Sequence, residues 1–427
     1  MLFGAMKRKD ILDILNTGFN HSVKDVLWGN ILFTEGFKNL LKVRNVEKLS
    51  RIKQVGPTYL IYPGAVHTRL NHSIGVYALS KRILISIAQK ADDIPVTEVG
   101  MKSFLCSALL HDIGHFPYAH SLKELAIREH EEIAATLIME DDELRNAVIA
   151  AGASPKMTAE IINTDLSTDD SETLLYRGIL SGTLDPDKLD YLSRDAFFAG
   201  VPYGTQSTDF IINAMHYVDG GIALEEDALV SVENVLFSKY LMYKTLYWHK
   251  GTRCATAMIK KALLTALEDG TISFDDLYLK DDDEFNELAA IHRQYRPFVL
   301  IGMVKHNDLL DKKLEYNLDR FPRLTELCSH LDTRMEAERR LFRRIREKYP
   351  QLEEIFVIFD IPEPIKFEHD MKILRNDGSV TGIREEESVF TKDVRKSFTN
   401  QLRKLSVFMP DYVAREDVEK AIQEEFN

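Results

Sequence analysis

The chain has little cysteine, no long apolar run and a shortage of positive charge, and each of these narrows what it can be. Three cysteines, Cys106, Cys254 and Cys328, are spread over 427 residues and form no CxxC pair. That spacing argues against a disulfide framework or a thiolate zinc centre, and the three read as small apolar core residues. No apolar stretch approaches the ~20 residues needed to cross a bilayer. The opening MLFGAMKRKD sets its basic residues after a very short apolar stretch, the wrong order for a secretory signal, so a cytoplasmic protein without a membrane partner is expected. Lys and Arg number 54 against 67 Asp and Glu, a formal charge of −13 at pH 7. Such a balance repels polyanions on average, although a local basic pocket could still hold a small anion. Internal repeats and low-complexity tracts are missing too.

What is present has globular texture: 45% apolar and 28% charged residues are enough to offset the entropy of folding. At this length one large domain with an appendage is expected. We read residues 1–21 as an N-terminal extension, 22–297 as a mainly α domain and 298–427 as a smaller C-terminal α+β lobe. The segment LNHSIGVYALSKRILISIAQKA repeats apolar residues at Ile74, Leu79, Ile83, Ile87 and Ala88, close to a 3.6-residue period. His72 therefore falls in the first turn of an amphipathic helix. The segment MKSFLCSALLHDIG is apolar almost all round, as a central helix is, until Gly114 and Pro117 interrupt it. His111 and Asp112 thus close a buried helix. Helical character continues over 121–139, 174–198 and 230–267, separated by turns such as NTDLSTDDS. Beyond Pro297, EIFVIFDI alternates like a strand, MKILRNDGSV reads as strand then turn, and charged helices are expected over 332–348 and 414–425.

Six of the thirteen histidines, His67, His72, His111, His115, His120 and His130, fall within sixty-four residues. A single histidine on a helix is ordinarily a core or surface residue, but a set concentrated in the most buried region needs a common purpose. In HDIGHFPYAH, His111 and Asp112 are adjacent, offering one imidazole nitrogen and one anionic oxygen to a divalent ion, and His115 follows one turn later. A mixed shell of this kind suits Mn, Fe, Zn or Mg. An ion held there lowers the pKa of its water from ~15.7 towards ~7 and neutralises charge on phosphate oxygens, which makes phosphoester hydrolysis feasible.

This H…HD…D arrangement resembles the HD phosphohydrolase superfamily. The segments IKQVGPTYLIYPGAVHTRLNHSIGV, LLHDIGHFPYAHS, HE at His130, LDPDKLDYLSRD and LYWHK are similar, in order and spacing, to those of the dNTP triphosphohydrolases, over about residues 22–270. The resemblance implies a helical HD core with His72, His111, Asp112 and Asp187 as metal ligands. It places His115 and His130 near the scissile phosphate, His130 as proton donor with Glu131 orienting it, and His120 on the phosphate or leaving oxygen. Imidazoles suit such work because their pKa lies near working pH. Arg69, Lys188, Arg194 and Lys239 are the implied phosphate contacts. Lys239 stands where the family carries an arginine, keeping the charge and losing the bidentate fork.

Gln54, Val55, Tyr191 and Tyr247 are the implied sugar and base contacts. Gln beside an apolar residue checks the 3′-hydroxyl, while a ring at Tyr247 crowds the 2′ position and favours deoxyribonucleotides. The implied reaction converts a dNTP into deoxynucleoside and inorganic triphosphate. A homo-oligomer, dimer or tetramer, is implied as well, with an activating nucleotide in some members. The His and Asp set leaves two alternatives open: an HD phosphohydrolase acting on a monophosphate, a signalling nucleotide or a nucleic-acid end, and a catalytically silent nucleotide sensor. Retention of His130, which a sensor has no need of, weighs against the second.

Overall fold

A computed structural model describes residues 5–118, 128–365, 367, 371–383 and 387–426. The architecture is mainly α with small sheets, a helical core followed by a C-terminal α+β region. Helix α1 (Arg69–Lys90) opens with a capping box: the Thr68 hydroxyl accepts from the Asn71 N–H and the Asn71 side chain returns to the Thr68 backbone. It packs against α2 (Glu98–Leu110) and later against α4 (Pro186–Ala199), so it is buried on almost every side between His72 and Ser80. Helix α3 (His130–Glu140) follows the undescribed stretch 119–127. Asp185 caps α4 by accepting from the Lys188 N–H, Pro186 occupies its first turn, and Gly200 ends it in the left-handed region at φ 69°. Helix α5 (Leu229–Met242) passes through a π-helical turn over Tyr243–Tyr247 before α6 (Lys250–Glu268).

The first core gathers around α1, α2 and α4. Tyr77 stacks on Phe33 with ring centroids 4.5 Å apart, and Phe104 on Tyr176 at 4.8 Å. The N-terminal stretch, expected to be an extension, is part of this core. A helix Arg8–Asn16 buries Ile11 and Leu15, and the hairpin His21–Asp25 with Gly29–Phe33 inserts Ile31 and Phe33. A second core surrounds α6 and the helix Val299–Lys305. The third is the terminal lobe: Lys404–Met409 forms the middle strand between Asp311–Asn317 and Ile358–Asp360, with Val407 facing Leu314 and Phe359 in register. Helices Leu331–Arg346 and Arg415–Phe426 cover it.

Two strand expectations come out differently. EIFVIFDI yields only Ile358–Asp360 as strand, after a 3-10 turn at Glu354–Phe356. MKILRNDGSV does form a hairpin, Lys372–Leu374 with Val380–Gly382, but not in the lobe. Its strand Lys372–Leu374 pairs in parallel with Gly221–Glu225, Ile373 lying opposite Leu224 and joining the first core, as does Phe390 further along the chain. Burying one Ile side chain is worth about 1.5–3 kcal/mol, and the apolar cleft beside Leu224 offers that burial. Among the described residues, no helix is long and apolar enough to cross a membrane.

Candidate metal centre and its pocket

The ends of α1, α2 and α4 meet at one point. From the first turn of α1, His72 donates its Nδ1–H to Asp190 Oδ2 at 2.8 Å and turns Nε2 to Asp187 Oδ1 at 2.9 Å. His111 closes α2; its Nδ1–H donates to the Ala108 carbonyl at 3.0 Å, which fixes the tautomer and leaves Nε2 as a lone pair. That Nε2 is buried without a hydrogen-bond partner, 3.5 Å from Asp112 Oδ1 and 3.8 Å from Asp187 Oδ1. One ligand atom each from His72, His111 and Asp112 lie within 4.8 Å of one another. Burial alone would raise the Asp112 carboxyl, but Arg69, then His115 and His111, hold it well below the usual carboxylate range. Asp187 is likewise pushed up by burial and pulled below that range by His72. Two imidazoles, one of them with its ring nitrogen orphaned, and two ionised carboxylates fit a divalent cation by donor type.

Behind these residues lies a support that the sequence reading did not assign. Asp190, fully buried, accepts from His72, from Arg194 Nε at 2.8 Å and Nη2 at 2.9 Å, and from Trp28 Nε1 at 2.5 Å. Arg194 reaches on to Asp25 at 2.8 Å, so the N-terminal hairpin braces the histidine. A carboxylate that orients a liganding imidazole in this way fixes its ring and its basicity. The packing is tight: a Cβ on Gly75 would stand 1.9 Å from Asp190 Oδ1. Arg194, expected on a phosphate, is therefore committed to Asp190 and Asp25 and does not line the pocket. Lys188 donates to Asp185 Oδ2 at 2.6 Å and to the Gly182 carbonyl at 3.0 Å, and it too lies outside the lining, as does the buried Lys239, 5.9 Å from the Phe367 ring. His120 lies outside the described residues.

The pocket has a volume of about 530 Å³. Into it converge the four ligand candidates together with Gln54, Val55, Arg69, His115, His130, Glu131, Tyr191 and Tyr247. His115 and His130 rings sit 3.9 Å apart by centroid, and His130 Nδ1 lies 3.0 Å from Glu131 Oε2. Gly114 permits this meeting, because a Cβ there would fall 1.9 Å from the His130 carbonyl oxygen. Arg69 donates from Nη1 to Asp112 Oδ2 at 2.8 Å, while its buried Nε has no partner. Gln54 Oε1 is also buried and unpartnered. Tyr247, in the π-helical turn, donates to Asp195 Oδ2 at 2.6 Å, and His67 Nε2 lies 2.7 Å from the other oxygen of that carboxylate. Turns of this type often mark functional positions.

Sequence reasoning missed several neighbours. Buried Lys48 donates to the His115 carbonyl at 3.2 Å, and burial lowers its pKa to about 7. Thr252, Arg253, Thr256, Lys260 and Glu363 line the pocket as well. The spacing of Thr252, Thr256 and Lys260, four residues apart on α6, was the available signal.

Comparison with known proteins places the chain. Residues 69–194 match the HD domain, and residues 208–427, just over half of the chain, match the HD associated region. The chain belongs to the HD family. Across 225 residues this HD protein is 32% identical to the uncharacterized protein YwfO of Bacillus subtilis, covering 53% of this chain and 51% of that one. It is 24% identical over 291 residues to the deoxynucleoside triphosphate triphosphohydrolase SAMHD1 homolog of Dictyostelium discoideum, covering 62% of this chain and 53% of the relative. The matches thus span about half the length of these relatives. A phosphohydrolase crystal structure from Bacteroides thetaiotaomicron shares the fold at TM-score 0.70 and 21% identity, over 91% of this chain and 99% of that one.

Proposed function

We propose that this HD protein is a metal-dependent hydrolase of deoxynucleoside triphosphates that releases the deoxynucleoside and inorganic triphosphate. The observation that carries the reading is the convergence, in one pocket, of the orphaned His111 Nε2 and its two carboxylate neighbours with the His115–His130 pair. His72, His111, Asp112 and Asp187 would hold the ion, of Mn, Fe, Zn or Mg type. When bound, a divalent ion supplies charge neutralisation at the phosphate and a water of lowered pKa. The chain's own residues do the rest. Arg69, anchored on Asp112, turns its remaining donors to phosphate oxygens. Water adds at the α-phosphorus and the bond to the 5′ oxygen breaks, His130 giving that oxygen its proton while Glu131 orients the ring. His115 stands beside the same phosphate, its backbone tied down by Lys48.

Gln54 Oε1 accepts from the 3′-hydroxyl, which supplies the partner it lacks, and Tyr247, braced by Asp195, occupies the space a 2′-hydroxyl would need. The name of the Dictyostelium relative supports the choice of substrate class. Assembly into a dimer or tetramer and activation by a bound nucleotide belong to the same proposal and rest on the family likeness. The test is to load metal-stripped protein with Mn²⁺ or Mg²⁺, add each dNTP and each ribonucleotide, and resolve the products by ion chromatography. Triphosphate from a dNTP, lost in Asp187→Ala, is the expected result. Pyrophosphate or orthophosphate instead would move the protein to another HD phosphohydrolase activity.

A further inference from the structure

One wall of the pocket takes no part in the proposed hydrolysis. Thr252, Thr256 and Lys260 recur every four residues along α6 and, with Arg253, face the cavity. Glu363 joins them from the segment following the lobe strand Ile358–Asp360. Thr252 is 5% exposed and its Oγ1 is buried with no hydrogen-bond partner, so a donor or acceptor is missing there. Arg253 is held in a fork by Asp360, Nε to Oδ2 at 2.9 Å and Nη2 to Oδ1 at 2.5 Å, an arrangement that leaves Nη1 out of the pair. Lys260 Nζ lies 3.8 Å from the same carboxylate. Among the described residues, two cations, Arg253 and Lys260, stand against two carboxylates, Asp360 and Glu363. With Arg253 already paired to Asp360 and Glu363 adding a negative charge to the lining, this wall is not built for another phosphate. It suits a neutral group rich in hydrogen-bonding edges.

Resting on the proposed nucleotide hydrolysis, we infer that this wall reads the base, that Arg253 and Glu363 are its specificity-determining residues, and that the base it fits best is guanine. The ion-binding end and Arg69 take the phosphates, and Gln54 with Tyr247 takes the sugar, which leaves the base for the α6 side. Arg253, fixed by Asp360, presents a donor without having to reorganise, and Glu363 presents an acceptor. Guanine offers the acceptors O6 and N7 to an arginine, and its N1–H and N2–H₂ are two adjacent donors that a carboxylate can take together. Thymine offers one acceptor and one donor of the same sense, whereas adenine and cytosine set an amino group where Arg253 needs an acceptor. The expected order is dGTP, then dTTP, then dATP and dCTP.

The experiment measures kcat/KM for triphosphate release from all four dNTPs with the full-length, Mn²⁺-loaded protein, its Glu363→Gln variant and its Arg253→Lys variant. Glu363 is exposed and its substitution leaves the fold's cores alone; circular dichroism checks that Arg253→Lys, which keeps a cation beside Asp360, is folded. A site built to hydrogen-bond a group rejects an analogue lacking it, and each lost bond should reduce the dGTP:dATP ratio on the order of tenfold. A ratio near one in the unmodified protein, or a ratio that neither variant moves by more than twofold, overturns the inference. Failure of every dNTP to yield triphosphate would refute the hydrolase reading instead. In that event, thermal shift with deoxyguanosine and deoxyadenosine decides the wall alone: preferential stabilisation by deoxyguanosine, lost in Glu363→Gln, upholds it, and equal shifts overturn it.

Discussion

Metal binding to this protein should release a proton from His72, and the structure sets the size of the effect. Burial disfavours the charged imidazole, but hydrogen bonds to Asp187 and Asp190 and their charges outweigh it, raising the pKa to about 10 in the ion-free protein. At pH 7.5 His72 is therefore cationic, with Nδ1–H on Asp190 and Nε2–H on Asp187. A liganding nitrogen must surrender its proton. The proton displaced is the one on Nε2, since Asp190 retains the other. Asp112 and Asp187 are held below the usual range, are already ionised, and contribute none. Raising the pH thus favours binding, with apparent affinity increasing about tenfold per unit as pH 10 is approached from below. Titration calorimetry with Mn²⁺ in PIPES and in Tris at one pH counts the protons from the difference in heat. Repeating it from pH 6.5 to 8.5 gives the slope. No proton released, or a dissociation constant indifferent to pH, would refute the reasoning.

Three further outcomes are expected. Arg194→Ala leaves Asp190 and Asp25 buried beside a lost cation, so chemical denaturation should show a loss of about 3–5 kcal/mol. Metal affinity should fall about 10- to 100-fold while nucleotide KM at saturating metal stays put; a raised KM with unchanged metal affinity would return Arg194 to the substrate. Phe104→Ala empties a fully buried position stacked on Tyr176 and should cost about 3–5 kcal/mol in the same assay, with a loss under 1 kcal/mol counting against the packing described. Tyr247→Ala should narrow the preference for deoxyribonucleotides over ribonucleotides about tenfold or more in kcat/KM, and an unmoved ratio would remove Tyr247 from sugar selection.

Local chemistry was what the sequence displayed best. Apolar spacing from Ile74 to Ala88, and the nearly unbroken apolar run before His111, located α1 and α2, because helix period and burial are properties of adjacent residues. The two helices could then be expected to bring their histidines to one place. Long-range choices were not visible. Alternation in MKILRNDGSV showed a strand, yet nothing local told it to seek Gly221–Glu225 rather than the lobe, since that choice depends on where an apolar cleft is open. Ile11 and Leu15 gave no hint that the first helix belongs to the main core. Arg194 misled for a physical reason: an arginine in a phosphate-binding motif and one bracing a buried aspartate are the same residue type, and only its fork on Asp190 separates them. The stripe of Thr252, Thr256 and Lys260 was legible as a period but not as a pocket wall, because Asp360 and Glu363, which complete that wall, lie one hundred or more positions away.

The most direct test of the central claim follows metal and turnover in the same sample. Protein stripped with EDTA is titrated with Mn²⁺ in the presence of dGTP, and bound metal and released triphosphate are measured together. Turnover should be absent without metal, and triphosphate release should rise in step with occupancy. In Asp187→Ala both occupancy and release should be lost. Turnover that survives EDTA, or a product other than triphosphate at full occupancy, would contradict it.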